Sequence, residues 1–176
     1  NKKELLSLYN ALANRDYNDP DALQINTLED AVFIGMKNDI SFIISDYLNL
    51  YEHQSTINNN MPLRGLFYFS DLYKSMYYNR ALYDTKQINI LTPIFVVFYN
   101  GTVNIPDNYT MKLSEAFINP TDSPDLEVIA HVYNINYGHN INLYKKCKKL
   151  EEYSIFVDKV HKALANADKQ DYAKVL

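Results

Sequence analysis

Hydrophobic residues recur along the chain at two different spacings, and these spacings predict most of the secondary structure. Residues 3–13 place leucines and a tyrosine on one face at helical intervals, which predicts an amphipathic helix. Residues 14–30 are rich in Asn and Asp and contain Pro20, which favours a loop. The short apolar run 31–36 then predicts a strand, so the chain is expected to lead from a helix through a loop into a sheet.

Two more strands are predicted directly afterwards, over residues 39–45 and 48–55. The turn between them is placed at Asp46-Tyr47. Because so short a connection makes neighbouring strands run antiparallel, we expect a β-hairpin. Its pairs should join residues whose numbers sum to roughly 91–93, given a turn at this position.

A second helix and a buried strand follow the hairpin. Pro62 suits the first turn of a helix, and apolar residues keep a helical period from there to about Tyr83. Pro93 opens an apolar run that ends at the turn Asn100-Gly101. Because this run does not alternate with polar residues, we expect a strand buried on both faces, at the centre of a sheet.

The remaining residues add a strand over 126–137 and a helix over 141–167. The order helix, three strands, helix, two strands, helix is typical of an α/β fold. No internal repeat or linker interrupts it. The apolar residues that we expect to face inward from the last helix are Leu143, Leu150, Tyr153, Phe156, Val157 and Val160.

Composition and charge restrict the class of protein. The chain has 176 residues, 47% of them hydrophobic, which fits one domain over residues 1–176, whether alone or within a longer chain. Its net charge of −4 lacks the basic excess of a dedicated nucleic-acid-binding protein, so any nucleic-acid binding must be local or weak. Cys147 is the one cysteine and forms no internal disulfide. Without an apolar run of about 18 residues or a signal peptide, a cytoplasmic protein with no membrane partner is expected.

Acidic and amide side chains converge at one end of the predicted hairpin. Side chains alternate faces along a strand, so Glu52 and Gln54 share a face and His53 points the other way. The hairpin pairing places Asp39 opposite one of these three residues. Two nearby carboxylates suit Mg²⁺ or Mn²⁺, and the backbone carbonyl of His53 would be a third oxygen ligand. A strand pair with one Asp and one Glu is also common on protein surfaces, so spacing alone leaves a purely structural interpretation open.

The residues around Glu52 resemble those of a known family. The sequence EHQST at 52–56, followed by MPLR at 61–64 and Tyr68, closely resembles the Rpn family of recombination-promoting nucleases, a transposase-like group within the PD-(D/E)XK superfamily. Asn38-Asp39 and the segments LLSLYNAL, FVVFYNGT and INYGHN also resemble this family, so the similarity covers most of the chain.

The resemblance implies a fold and an activity. The fold is a restriction-endonuclease-like αβββαβ core with a central mixed sheet flanked by helices, in agreement with the element order above. The activity is divalent-metal-dependent endonucleolytic hydrolysis of DNA phosphodiester bonds, in mobile-element recombination or in defence against foreign DNA.

Carried over by position, the resemblance makes Asp39 and Glu52 the metal-binding acids, and Gln54 the third catalytic residue. The superfamily usually has Lys where this chain has Gln54. A neutral amide donates hydrogen bonds but supplies no positive charge for the transition state, so a cation is expected from elsewhere.

Four further residues are candidates for supporting the site. Lys37 lies two positions before Asp39, and Arg64 lies in the first turn of the second helix; either would supply the missing charge. Some superfamily members add a glutamate from the first helix, which makes Glu4 a candidate, and Asn10 is the polar residue of the matching LYNAL segment.

Three functional hypotheses stay open at this stage. The first is a Mg²⁺- or Mn²⁺-dependent endodeoxyribonuclease, whose cleavage of both DNA strands would be served by a homodimer. The second is a catalytically degenerate domain that keeps the fold and acts as a binding or dimerisation module. The third is cleavage of RNA, which needs the same metal chemistry and differs only at the 2′-hydroxyl.

Overall fold

A six-stranded sheet forms the centre of the protein. The computed structural model describes residues 1–26, 40–78, 82 and 85–172, with side chains up to residue 165. The helices of this part are α1 (Lys2–Ala13), α2 (Met61–Tyr77), α3 (Ile141–Lys146) and α4 (Lys148–Tyr172). The strands are β1 (Gln24–Ile25), β2 (Ile40–Ile44), β3 (Tyr47–Gln54), β4 (Thr92–Tyr99), β5 (Asn108–Lys112) and β6 (Ile129–Asn134).

The strands lie in the order β1-β2-β3-β4-β6-β5. The three middle strands β3, β4 and β6 are parallel, whereas the outer pairs are antiparallel. Helices cover both faces of this mixed sheet, so the predicted α/β class is confirmed. The parallel arrangement brings the carboxyl ends of β3, β4 and β6 to one edge of the sheet, where ligand sites of α/β proteins are usually found.

The predicted hairpin is present, with its turn one residue earlier than expected. Strand β2 pairs with β3 from Ile40 opposite Tyr51 to Ile44 opposite Tyr47. Each pair sums to 91, within the predicted range. The turn lies at Ser45-Asp46, and Ser45 adopts a positive φ of 52°. This register fixes which side chains of β3 face each helix layer.

Strand β4 is buried as its unbroken apolar run predicted. Val96 and Phe98 face a core shared with α1, whereas Phe95 and Val97 face a second core shared with α2. On the second side, Gly65 brings α2 so close that a Cβ there would lie 2.6 Å from the ring of Phe95. Close contact at this glycine sets how near α2 approaches the sheet.

Several boundaries differ from the sequence prediction. The predicted loop 14–30 contains a 3₁₀ turn at Pro20–Ala22 and the short strand β1. Strand β5 was not predicted, and α2 ends at Tyr77 rather than near Tyr83. The predicted strand 31–36 lies outside the described residues. Three strands therefore separate α1 from α2 in the described chain, but the first of them lies at Gln24–Ile25.

The predicted last helix is divided into two. Cys147 adopts an extended conformation, with φ −130° and ψ 90°, and separates α3 from α4. Leu143, Leu150 and Val157 face the core as predicted. Phe156 and Val160 do not, because the face of α4 that carries them is turned away from the sheet. Among the described helices, none is long and apolar enough to cross a membrane.

Candidate functional site

Glu52 is a buried acid near the carboxyl end of β3. The even-numbered residues of β3, such as Leu48 and Leu50, face the core beneath α2. Alternation along the strand therefore directs Glu52 to the same layer. Its side chain has 0% of its surface exposed. A carboxylate taken so far from water requires charged or hydrogen-bonding partners, because its desolvation is costly.

Two side chains supply such partners to the same carboxylate oxygen. The Gln54 amide donates from Nε2 to Glu52 Oε1 at 2.6 Å. The Arg64 guanidinium forms an ion pair with Oε1 through Nη2. Gln54 reaches Glu52 because residues two apart on a strand share a face. Arg64 reaches it from the first turn of α2, and only 17% of its side chain is exposed.

The guanidinium of Arg64 is held in place by its own helix. Its Nη2 donates to the Tyr68 hydroxyl at 3.1 Å, and the guanidinium carbon lies 5.8 Å from the centre of the Tyr68 ring. Its Nη1 lies 3.6 Å from the sulfur of Met61. Since Met61, Arg64 and Tyr68 are three and four residues apart, they form one line along α2. Arg64 is therefore a cation that the described structure brings to the Glu52–Gln54 pair, with Tyr68 as its support.

His53 lies on the opposite face of β3, as alternation predicted. Its Nε2 lies 3.2 Å from the Tyr153 hydroxyl of α4, and the two rings meet edge to face with centres 5.9 Å apart. Asn100 donates from its side-chain amide to the same hydroxyl at 3.1 Å. Burial lowers the pKa of His53 below its ordinary value of 6.5, so the ring is neutral at pH 7. A neutral ring carries a proton on one nitrogen only, so its tautomer decides whether Nε2 accepts the hydrogen bond from the Tyr153 hydroxyl or donates it.

This second network connects three elements behind the acidic site. The backbone N–H of Asn100 donates to the Gln54 carbonyl at 3.1 Å, which joins the end of β4 to the end of β3. Tyr153 joins both strand ends to α4. Successive carbonyls of a strand point to alternate neighbours, so the His53 carbonyl is directed to the β2 side of β3, opposite to that of Gln54. The side-chain contact of His53 with Tyr153 holds this part of the strand, and with it the His53 carbonyl, in place.

The other predicted site residues do not join Glu52 in the described structure. Asp39 and Lys37 lie outside the described residues. Glu4 and Asn10 belong to α1, which packs on the face of the sheet that carries His53. The Asn10 side chain bonds both backbone groups of Tyr17, at 2.8 and 3.0 Å, and so fixes the loop after α1. Glu4 and Asn10 therefore lie on the side of the sheet opposite to the Glu52 side chain, and a supporting role for them stays a prediction.

Sequence reasoning did not identify Asn100 and Tyr153 as partners of His53. Asn100 precedes Gly101 and was interpreted only as a turn residue, yet it is buried. Tyr153 was interpreted as a core residue because of its helical spacing. Both lie at least 47 positions from His53 in the sequence, so spacing carries no signal for either contact. A polar residue directly after a fully buried strand was the one available sign for Asn100.

The same edge of the sheet continues into a polar pocket of about 320 Å³ beyond β4 and β6. Asn134, Asn136, His139 and His161 are among its lining residues. His139 Nδ1 lies 2.8 Å from a carboxylate oxygen of Asp107, which orients the imidazole. This pocket adjoins the candidate site through the loop after β4 and enlarges the polar surface at the carboxyl ends of the parallel strands.

Two oxygen donors of the described residues are of the kind that could hold a metal ion. Within the ranges that the structure describes, no group of three His, Cys, Asp or Glu side chains is placed to hold an ion. Glu52 and the His53 carbonyl are two oxygen donors of the type that Mg²⁺ and Mn²⁺ prefer. They fit such an ion as a partial ligand set that a second carboxylate would complete.

The chain was compared with models of known protein families, with curated proteins and with solved structures, and none of these comparisons found a match.

Proposed function

We propose that the protein is a divalent-metal-dependent nuclease that hydrolyses phosphodiester bonds, most simply those of DNA. The observation that carries this proposal is the cluster of Glu52, Gln54 and Arg64 at the carboxyl ends of the parallel strands of the sheet. It combines a metal-binding carboxylate, an amide that binds water or phosphate, and a fixed cation. The resemblance of EHQST and MPLR to the Rpn family supports the same assignment, with mobile-element recombination or defence as its setting.

The proposal requires a second acid next to Glu52. The β2–β3 ladder pairs Ile40 with Tyr51, and Asp39 precedes Ile40 in the sequence. Asp39, which the sequence predicts opposite Glu52, His53 or Gln54 in this hairpin, is taken as that acid, and its position lies outside the described residues. Asp39, Glu52 and the His53 carbonyl would then provide three oxygen ligands.

Each residue of the cluster has a distinct role in hydrolysis. When bound, Mg²⁺ or Mn²⁺ polarises a phosphoryl oxygen and lowers the pKa of a coordinated water. Gln54 donates one N–H to Glu52, and its amide oxygen accepts a hydrogen bond from the attacking water. Arg64 supplies the positive charge that stabilises the pentacovalent phosphate in the transition state. Arg64 of α2 thus takes the role of the lysine that is usual in the superfamily, because the neutral Gln54 on β3 supplies no positive charge.

The experiment is a plasmid-nicking assay with Mg²⁺ or Mn²⁺, together with calorimetric Mn²⁺ titration. Wild type is compared with Asp39→Asn and Glu52→Gln, which keep side-chain shape and remove one charge. Asp125→Asn is the matched control, since this exposed acid lies far along the chain from the site. We expect both site variants to lose cleavage and Mn²⁺ affinity, and the control to retain both. Arg64→Met should lower the cleavage rate on the order of 10²-fold.

Two outcomes would contradict the proposal. Equal cleavage by wild type and both acid variants would remove Asp39 and Glu52 from the site. Absence of cleavage by wild type, with either metal and on both DNA and RNA, would remove the nuclease assignment itself. RNA cleavage alone would retain the site and change the substrate, because the described residues do not report on the 2′-hydroxyl.

A second candidate function is a non-catalytic binding or dimerisation module. It is favoured by the engagement of Glu52 Oε1 by both Gln54 and Arg64, which is also how a buried structural ion pair is satisfied. In that case Glu52→Gln would change stability without any change in Mn²⁺ binding. The titration therefore separates the two functions even where no cleavage is seen.

A further inference from the structure

The polar pocket beyond β4 and β6 lies where the connections of the sheet change sides. The loop after β3 leads to α2 on one face of the sheet, whereas the loop after β6 leads to α3 and α4 on the other. In α/β folds such a switch opens a crevice outside the carboxyl ends of the strands, and ligands bind there. The pocket of about 320 Å³ has this position, between the loops after β4 and β6 and the middle of α4.

The pocket adjoins the cluster around Glu52 through its wall at Gly101. This glycine lies so close to the Ser55 carbonyl that a side chain at position 101 would collide with it. Ser55 directly follows Gln54, so the wall of the pocket touches the residue next to the cluster. A neighbouring nucleotide of a strand bound at Glu52 would require a binding site in this place.

One tight turn carries two of the side chains that line the pocket. The backbone N–H of His139 donates to the Asn136 carbonyl at 3.1 Å, and Gly138 within the turn has a φ of 94°, which glycine adopts without strain. The Asn136 side chain donates to the Gly101 carbonyl at 2.9 Å and so joins the turn to the wall. Tyr137 and His139 are therefore held two residues apart on a fixed backbone.

His139 is oriented for an anionic ligand. Its Nδ1 lies 2.8 Å from a carboxylate oxygen of Asp107, which accepts the Nδ1 proton and fixes the plane of the ring. Nε2 lies on the other side of the imidazole and forms no hydrogen bond with the described residues. In the protonated ring, Nε2–H donates to a phosphate oxygen. His161 lines the same pocket and provides a second imidazole.

The acids near these histidines are compensated locally. Asp107 is paired with His139, and Asp158 of the pocket wall is paired with Lys162 at 2.7 Å. The Thr102 hydroxyl adds a neutral donor to the lining. The pocket therefore offers a phosphate several donors without an unpaired carboxylate in its described lining.

Tyr137 supplies an aromatic surface beside these donors. Its side chain is 59% exposed. Every nucleobase has a π-face, so an exposed ring next to phosphate donors binds a nucleotide of any sequence. The bases of a duplex are already stacked on their neighbours, so this contact requires an unpaired base.

We propose that the pocket is a subsite for one nucleotide of a single-stranded nucleic acid, with its base on Tyr137 and its phosphate on His139 and His161. The inference rests on the proposed nuclease function and names its substrate class. The substrate is a strand that is unpaired beside the cleaved bond, as negative supercoiling provides locally in plasmid DNA.

The test is fluorescence anisotropy with labelled oligonucleotides of about 10 nucleotides, in EDTA so that no metal-dependent cleavage occurs. Single-stranded DNA, single-stranded RNA and a DNA duplex are compared. Tyr137→Ala should weaken single-strand binding by about tenfold and leave duplex binding unchanged, because only unpaired bases stack on the ring. Tyr78→Ala is the matched control, since it removes a tyrosine that is 74% exposed at the end of α2, and it should change neither.

The phosphate contact gives a second measurement, the pH dependence of binding. Single-strand affinity of the wild type should rise by about threefold or more from pH 8 to pH 6, because charged imidazoles replace neutral ones. His139→Gln and His161→Gln should each reduce this rise, whereas His131→Gln, at an exposed histidine of β6, should keep it. The other charged or titratable groups around His139 are Asp107 before β5, Tyr144 of α3, and Asp158 and Lys162 of α4.

The outcomes separate the subsite from the nuclease assignment, because binding is measured without metal. A wild type that binds no single strand, or that binds it no better than Tyr137→Ala, would overturn the subsite even if cleavage depends on Asp39 and Glu52. An unchanged pH dependence in both His139→Gln and His161→Gln would overturn the phosphate contact. Binding that depends on Tyr137, in a protein that cleaves nothing, would support the subsite and remove the nuclease.

Discussion

The buried ion pair between Glu52 and Arg64 leads to an asymmetric prediction for stability. Arg64→Met removes a cation from beside a carboxylate with no exposed surface. Removing one partner of a buried ion pair costs about 3–5 kcal/mol, because the remaining charge stays away from water. Arg64 itself is partly exposed, so the pair lies at the boundary of the core. We therefore expect a loss at the lower end of that range, about 3 kcal/mol.

The reverse substitution should cost less. Glu52→Gln leaves a guanidinium that can hydrate through its exposed side and that keeps its hydrogen bond to Tyr68. The glutamine amide also still accepts a hydrogen bond. We expect a loss of about 1–2 kcal/mol, the usual cost of weakening one charged hydrogen bond. The double variant should lose clearly less than the two single losses combined, since its second substitution removes a group whose partner is already gone.

Urea unfolding followed by circular dichroism measures these differences, and thermal unfolding provides a second reading. A loss of about 3 kcal/mol corresponds to a decrease in Tm of about 6–12 °C for a domain of this size. Lys74→Met is the matched control on the same helix, because Lys74 forms only an exposed pair with Asp71, and it should change stability by less than about 0.5 kcal/mol. The reasoning would be refuted if Arg64→Met were no more destabilising than Glu52→Gln or Lys74→Met.

Two further predictions concern packing and pH. Gly65→Ala should destabilise the protein by about 1–3 kcal/mol in urea unfolding, because the added Cβ would lie 2.6 Å from the buried Phe95 ring. Helix propensity alone predicts the opposite, a gain in stability. A measured gain would show that α2 can move away from the sheet. The pKa of His53 is lowered by burial, so the unfolded chain takes up its proton first as the pH falls. The stability that the neutral His53 ring contributes to the folded protein is therefore complete above about pH 6.5, and it is lost as the pH falls through the pKa of His53 in the folded state. The free energy of unfolding should therefore change more between about pH 7.5 and pH 5 for wild type than for His53→Gln. Equal pH dependence of the two proteins would contradict a buried neutral imidazole.

Hydrophobic periodicity predicted the helices and strands whose buried residues form a complete pattern along one face or along the strand. The helix α1, the hairpin and the central strand β4 each carry a complete pattern, so local sequence determines them. Strand β5 escaped prediction because Met111 is its one fully buried side chain. An edge strand with one inward residue has no alternation to detect. Strand β1 has two residues and no buried side chain, so its pairing depends on β2 rather than on its own sequence.

Local sequence likewise predicted one part of the candidate site, and the other part depends on contacts between residues far apart in the chain. Alternation along one strand was enough to place Glu52 and Gln54 on one face and His53 on the other. The contact with Arg64 depends on how α2 is positioned over the sheet, which is set by the close approach of Gly65 to Phe95. The spacing of residues along the sequence does not predict how closely α2 approaches the sheet. The sequence therefore predicted that a cation was needed and gave Arg64 and Lys37 as alternatives without deciding between them.

The error at the end of the chain has a different physical origin. Helical periodicity reports an apolar arc on α4 but not what covers each part of it. Val157 and Val160 belong to one arc, although Val157 faces the core and Val160 is exposed. The arc on α4 is wider than the part of the helix that the described core covers, so Phe156 and Val160 stay exposed although they follow the helical period.

Tyr153 connects α4 to the strand ends behind the candidate site. Its hydroxyl accepts a hydrogen bond from the Asn100 side-chain amide and lies within hydrogen-bond distance of His53 Nε2. Glu52 is bonded through the backbone to His53, so the two networks share one rigid segment of β3. Arg64 holds this segment from the α2 side through Glu52, and Tyr153 holds it from the α4 side through His53. The position of Glu52 therefore depends on contacts that both helix layers make with consecutive residues of β3.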